Sequence, residues 1–138
     1  REEVEKILKG DYAFLLYSPH SLCREFYIEC TCNMMRPRTI VDYERIPWIL
    51  DAGTVRITFD SDVRAAIGSY DIFDPGLPAL SVLEPGKLIL EVKFTEMLPQ
   101  LLRDVLPPPA AEFTAVSKYV LCYEKTRYMN GFEYWYET

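Results

Sequence analysis

The sequence predicts an α+β fold, an antiparallel β-sheet flanked by helices. Residues 54–60 (TVRITFD) alternate cleanly between apolar and polar, the period of two that a half-buried strand requires, and 87–94 (KLILEVKF) reads as a strand with one fully apolar face and Glu91 and Lys93 on the other. Apolar stripes at helical spacing lie before and after the strands. The resulting order, α-α-β-β-β-α-α, lacks the regular β–α alternation of a doubly wound sheet.

The elements follow from local signals. Residues 2–9 form a short helix with Val4, Ile7 and Leu8 on one face, ended by Gly10. Residues 11–17 are apolar and ambiguous. Ser18-Pro19 breaks the chain before a helix at 21–33, with Ser21 as its cap and Leu22, Phe26, Tyr27 and Cys30 as its stripe. Pro37 marks the change to strand, and 39–47 (TIVDYERIP) is rich in β formers. Asp51-Ala-Gly53 signals a turn, so 39–47 and 54–60 pair as an antiparallel hairpin. Residues 68–86 read as a loop with a short strand near 80–83. Thr95 caps a helix running to Val105, which Pro107-Pro108-Pro109 ends. A last helix spans 114–128, and 131–138 is an aromatic tail.

Strand parity sorts the side chains by face. Val55, Ile57 and Phe59 face one way, and Arg56, Thr58 and Asp60 the other. Leu88, Leu90, Val92 and Phe94 share an apolar face, while Glu91 and Lys93 share the polar one with Lys87 and Ile89. Thr39, Val41, Tyr43 and Arg45 form one side of the first strand. Arg, Lys and Thr beside an isolated Glu suit a polyanion with a divalent cation: Arg offers a planar fork to phosphate oxygens and Glu a hard oxygen ligand. Alternation of this kind is equally that of a solvated sheet face.

Length and composition bound the rest. At 138 residues the chain fits one domain, 1–138, able to bury roughly two-thirds of its unfolded surface. With 49% apolar and 14% aromatic residues it is no disordered tail. A net charge of −6 excludes a binder of duplex nucleic acid that works through a global basic field. Arg36, Arg38, Arg45 and Arg56 nevertheless cluster locally. The four cysteines, with Cys30 and Cys32 one residue apart and a single histidine, His20, read as free thiols of a reducing, cytoplasmic compartment and not as a zinc site. No apolar run reaches the length of a membrane span.

Four motifs then combine: residues 36–45 (RPRTIVDYER), 55–60 (VRITFD), 89–94 (ILEVKF) and 117–119 (SKY). In this order and spacing they resemble the C-terminal part of the VTC-type polyphosphate polymerase domain, a family of the triphosphate tunnel metalloenzyme fold. The resemblance covers most of residues 2–128. It implies an antiparallel β-barrel tunnel lined by basic residues, in which the terminal phosphoryl group of a nucleoside triphosphate passes to a growing polyphosphate chain with Mn²⁺ or Mg²⁺. Carried over by position, Glu91 is the metal ligand, and Arg56, Lys93, Arg45 and Lys118 hold phosphates. Arg36, Arg38, Tyr43 and Thr58 are further candidates for binding the nucleotide or the chain. The family domain is longer, so the resemblance implies a C-terminal portion that lacks tunnel strands, and open edges that pair with a second copy.

Each candidate has an ordinary alternative. Lys118 is otherwise a solvated helical lysine. Arg36 and Arg38 otherwise neutralise the carbonyls at a helix C-terminus. Asp60 supports the metal or caps the segment 61–67. At the level of function, a triphosphate hydrolase, a non-catalytic polyphosphate-binding module and a plain structural domain stand beside the polymerase.

Overall fold

A computed structural model of the chain describes residues 1–51, 54–106, 108–109 and 111–129. The helices are α1 (Glu2–Leu8), α2 (Ser21–Thr31), α3 (Gln100–Val105) and α4 (Lys118–Thr126), with a 3₁₀ turn at Ala13–Tyr17. The strands are β1 (Val41–Leu50), β2 (Val55–Ala66), β3 (Ala79–Ser81) and β4 (Ile89–Lys93).

The strands form one antiparallel sheet with β2 at its centre. β1 lies along one edge of β2. On the other edge β3 pairs with Arg64 to Ala66, and β4 with Arg56 to Asp60, so these two share one edge end to end. Among the described residues the sheet is open, not closed into the expected barrel. The hairpin β1–β2 is as expected, but both strands outrun their sequence signals. β1 continues through Pro47, which a strand with one unpaired edge tolerates. β2 continues six residues past Asp60.

A β-bulge makes that continuation possible. Glu44 pairs with Ser61 and Asp42 with Arg64, so Asp62 and Val63 together oppose Tyr43. Asp62 absorbs the irregularity at φ 48°, a conformation that Asp adopts more readily than most residues. The extra residue reverses parity along β2. Val63 and Ala65 thereby join the face that carries Thr58 and Asp60, together with Val41 and Tyr43.

That face is the one α4 covers. Val63, Ala65 and Cys122 are inaccessible to solvent, and Val41, Tyr43, Val82, Leu83 and Ile89 pack around them. Expectation and structure differ here. The opposite face, read as the apolar core side, has Val55 buried at one end, but Ile46, Trp48, Leu88 and Phe94 are half or more exposed. A second cluster lies in the N-terminal helices, where Tyr12, Leu15 and Cys30 are buried against Ile7, Phe14, Cys23, Phe26 and Tyr27.

Several boundaries moved. Gly10 ends α1 with φ 79°, as expected. The ambiguous segment becomes the 3₁₀ turn. His20, not Ser21, is the N-cap of α2, without a side-chain bond. α3 begins only after Pro99, and the Thr95 hydroxyl meets that of Thr54 instead of capping a helix. α4 starts at Lys118 because Ser117 Oγ accepts a hydrogen bond from Val120 N at 3.3 Å. The turn between β1 and β2 is held by Thr54 N donating to Asp51 O at 3.1 Å; Ala52 and Gly53 of the turn signal lie outside the described residues, as does the aromatic tail. Among the described residues no helix is long and apolar enough to cross a membrane.

Candidate functional site

Cross-strand register puts the chemistry on one face. Arg45 stands opposite Asp60, Thr58 opposite Glu91, and Arg56 opposite Lys93. Directly opposed residues point to the same side of a sheet. Five of the expected residues, Arg45, Arg56, Thr58, Glu91 and Lys93, therefore share a face, and Tyr43 borders them along β1. Lys118, the first residue of α4, arrives from the covering helix.

Asp60 is the organiser. Its carboxylate is inaccessible to solvent and accepts two hydrogen bonds from Arg45, Nε to Oδ1 at 2.6 Å and Nη2 to Oδ2 at 2.7 Å. Lys118 Nζ lies 2.7 Å from Oδ2. This bidentate fork plus an ammonium holds the carboxyl down at about 2: the Arg45 bonds are the main cause, burial opposes them, and Lys118 adds to them. The same bonds raise the Arg45 guanidinium above its ordinary range. Both cations also lie over the Tyr43 ring, Arg45 Cζ at 5.1 Å and Lys118 Nζ at 5.2 Å from its centroid. Neither the capping reading of Asp60 nor the solvated reading of Lys118 holds: residues 61–66 continue the strand, and the Lys118 side chain is only 19% exposed.

Further along the face the residues are less committed. Lys93 Nζ pairs with Glu91 Oε1 at 2.9 Å, which lowers the Glu91 carboxyl below its usual range, with Lys118 and Arg45 contributing from further off. The Arg56 side chain is exposed and has no partner among the described residues. Thr58 is 2% exposed, and its hydroxyl has no hydrogen-bond partner among the described residues. Four cations and two carboxylates thus leave a local positive excess in a chain of net charge −6.

Arg36 is not brought to this face, and Arg38 precedes β1 at the end of the hairpin away from Arg56. Arg36 Nη1 donates to Cys30 O at 2.7 Å and Met35 O at 2.8 Å, closing the C-terminal end of α2, and its guanidinium lies over the Tyr12 ring. This is the helix-terminus alternative, fulfilled. Arg38 accepts a hydrogen bond at its carbonyl from Tyr70 Oη at 3.2 Å; burial pushes that phenol up to about 12.

The carboxylates bear on metal binding. No group of three His, Cys, Asp or Glu side chains that could hold an ion occurs among the described residues. Asp60 is spent on Arg45 and Lys118. What remains is Glu91, paired with Lys93, and the Thr58 hydroxyl opposite it, which has no partner among the described residues. That donor set is too small for an all-protein cage. It fits Mg²⁺ or Mn²⁺ held by one carboxylate with phosphate oxygens and water completing the shell.

Sequence reasoning underrated Asp60. The available signal was its parity with Arg56 and Thr58, which put a carboxylate on the basic face, and only the register reveals Arg45 as its partner. No curated protein and no solved structure matches the chain. A family model described as the VTC domain matches residues 1–127, nearly the whole of it. All the strands and all of α4 fall within that match, and the chain belongs to the VTC domain family.

Proposed function

We propose that the chain is part of a polyphosphate polymerase, moving the terminal phosphoryl group of a nucleoside triphosphate onto a polyphosphate chain. One observation carries this reading: in a VTC domain, Arg45, Arg56, Lys93 and Lys118 converge with Glu91 on one face of the sheet. Such a face matches the demands of phosphoryl transfer, which are positioning and charge stabilisation far more than acid–base chemistry. The acceptor is a terminal phosphate oxygen that is already anionic at neutral pH. It attacks the γ-phosphorus, a new P–O–P bridge forms, the β–γ bridging bond breaks, and the nucleoside diphosphate leaves with the electron pair.

In this reading Arg56 and Lys93 hold the exposed end of the phosphate chain. Arg45 and Lys118 hold a phosphate beside Asp60, on the Tyr43 side. Glu91, with Thr58 near it, would hold a divalent cation together with phosphate oxygens. Bound there, Mn²⁺ or Mg²⁺ would offset the charge of the transferring group. The four strands do not enclose a tunnel. Closure requires further strands, from a longer domain of which this chain is the C-terminal portion or from a second copy along the free edge of β1. That openness also favours a second reading, a polyphosphate-binding module without turnover.

The test is product analysis after incubation with ATP and Mn²⁺, beside calorimetric titration with tripolyphosphate. Long phosphate chains support the polymerase, and free phosphate alone supports a hydrolase. Binding that weakens in Arg56→Ala, without turnover, leaves the binding module. No affinity for tripolyphosphate in the folded chain, with or without Mn²⁺, refutes the phosphate site in this chain.

A further inference from the structure

We propose that Asp60 is a positioning residue of this site, presenting Arg45 and Lys118 to a phosphate group as one preassembled pair of cations. The inference rests on the phosphate-binding reading above. A fully buried carboxylate on an anion-binding face is, on charge alone, out of place, since it repels the ligand. Nor does a stable core call for an ion cluster here, because well-packed apolar residues that replace all members of a buried ion pair together commonly do so at little cost. Its geometry supplies the reason. The two bonds from Arg45 use two of the five guanidinium N–H groups, and the bond from Lys118 uses one of three. Three donors on Arg45 and two on Lys118 remain, on side chains still 34% and 19% exposed.

Two long side chains would otherwise have to be ordered when the ligand binds, and that lost rotamer freedom would weaken binding. Here the ordering is done on folding. Asp60 fixes both cations from β2, and the Tyr43 ring of β1 lies beneath both. The arrangement also ties the docking of α4 to the shape of the site, because Lys118 is the first residue of that helix.

Charge and positioning predict opposite signs for Asp60→Asn. Removing a negative charge 2.7 Å from a phosphate-binding lysine should tighten tripolyphosphate binding if charge alone matters. Loss of positioning should weaken it. The experiment is calorimetric titration of wild type, Asp60→Asn, Asp60→Glu and Arg45→Lys with tripolyphosphate, at a temperature where circular dichroism shows each chain folded. We expect Asp60→Asn to bind on the order of tenfold more weakly. Asp60→Glu keeps the charge but shifts the carboxylate by a methylene, and Arg45→Lys keeps the charge but loses the fork; both should weaken binding severalfold. Equal or tighter binding by Asp60→Asn overturns the positioning role and leaves the phosphate site standing. If Asp60→Asn does not fold, unchanged binding by both charge-preserving variants overturns it instead. A folded wild-type chain without affinity overturns this inference together with the phosphate reading.

Discussion

The same carboxylate sets how the protein should respond to acid. Asp60→Asn removes a charge that two cations hold inside the fold. Depression of its pKa from 3.8 to about 2 corresponds to about 2 kcal/mol at neutral pH, with screening around the partly exposed Arg45 allowed for. The folded-state value lies below the unfolded one, so the stabilisation is complete from about one unit above pH 3.8 and starts to fall as pH drops through that value. It is lost as pH falls through 2, with roughly half gone by pH 3. Urea unfolding of wild type and Asp60→Asn at pH 7, 5, 4 and 3 isolates this group, because the other carboxylates titrate in both proteins. The wild type should be more stable by at least about 2 kcal/mol at pH 7, and the gap should narrow by about 1 kcal/mol at pH 3. A gap that stays constant or widens toward pH 3 would refute the claim that Asp60 is ionised and paired in the native state.

Further outcomes follow from other parts of the molecule. Mn²⁺ alone should bind weakly, since Lys93 already occupies Glu91; Lys93→Met should raise its affinity severalfold, read from the electron spin resonance of free Mn²⁺. At the bulge, Asp62→Val places a β-branched residue at φ 48° and should cost about 1–2 kcal/mol in urea unfolding, whereas Asp62→Gly should lie within about 0.5 kcal/mol of wild type. Burial raises the Cys30 and Cys122 thiols, so a thiol reagent at pH 7 should modify exposed Cys32 first and reach Cys122 only at the rate of unfolding.

How far the sequence speaks depends on the range of the interaction. Period-two alternation within a strand is local, and it placed Arg56, Thr58, Glu91 and Lys93 on one side correctly. Which side the core would occupy is a tertiary property. The run 61–66 (SDVRAA) has no clean alternation because the bulge at Asp62 and Val63 breaks the period, so the extension of β2 and its change of parity were hidden. With them was hidden the seat of α4. The apolar residues of 55–59 and 88–94 pointed to a core face that the described helices leave largely uncovered. Arg36 illustrates a different limit. Its chemistry suits a phosphate and a helix terminus equally, and only the positions of Cys30 O and Met35 O decide.

The pairing of Glu91 with Lys93 shows how one strand can carry opposite charges on one face. In the free protein each satisfies the other, at 2.9 Å and in partial contact with water, so neither is stranded. An exposed pair of this kind contributes little to stability and is readily exchanged. On the proposed reading, a divalent cation bound to phosphate oxygens would offer Glu91 a stronger partner than an ammonium, and the same phosphates would offer Lys93 a stronger partner than a single carboxylate. The exchange would then satisfy both residues at once. Metal without phosphate would leave Lys93 unpaired, and phosphate without metal would press against Glu91. Arg45 and Lys118 differ, because Asp60 holds them from inside the fold, where no ligand competes for it. The face thus divides into a fixed half around Asp60 and an exchangeable half around Glu91, and metal dependence should arise in the second half alone.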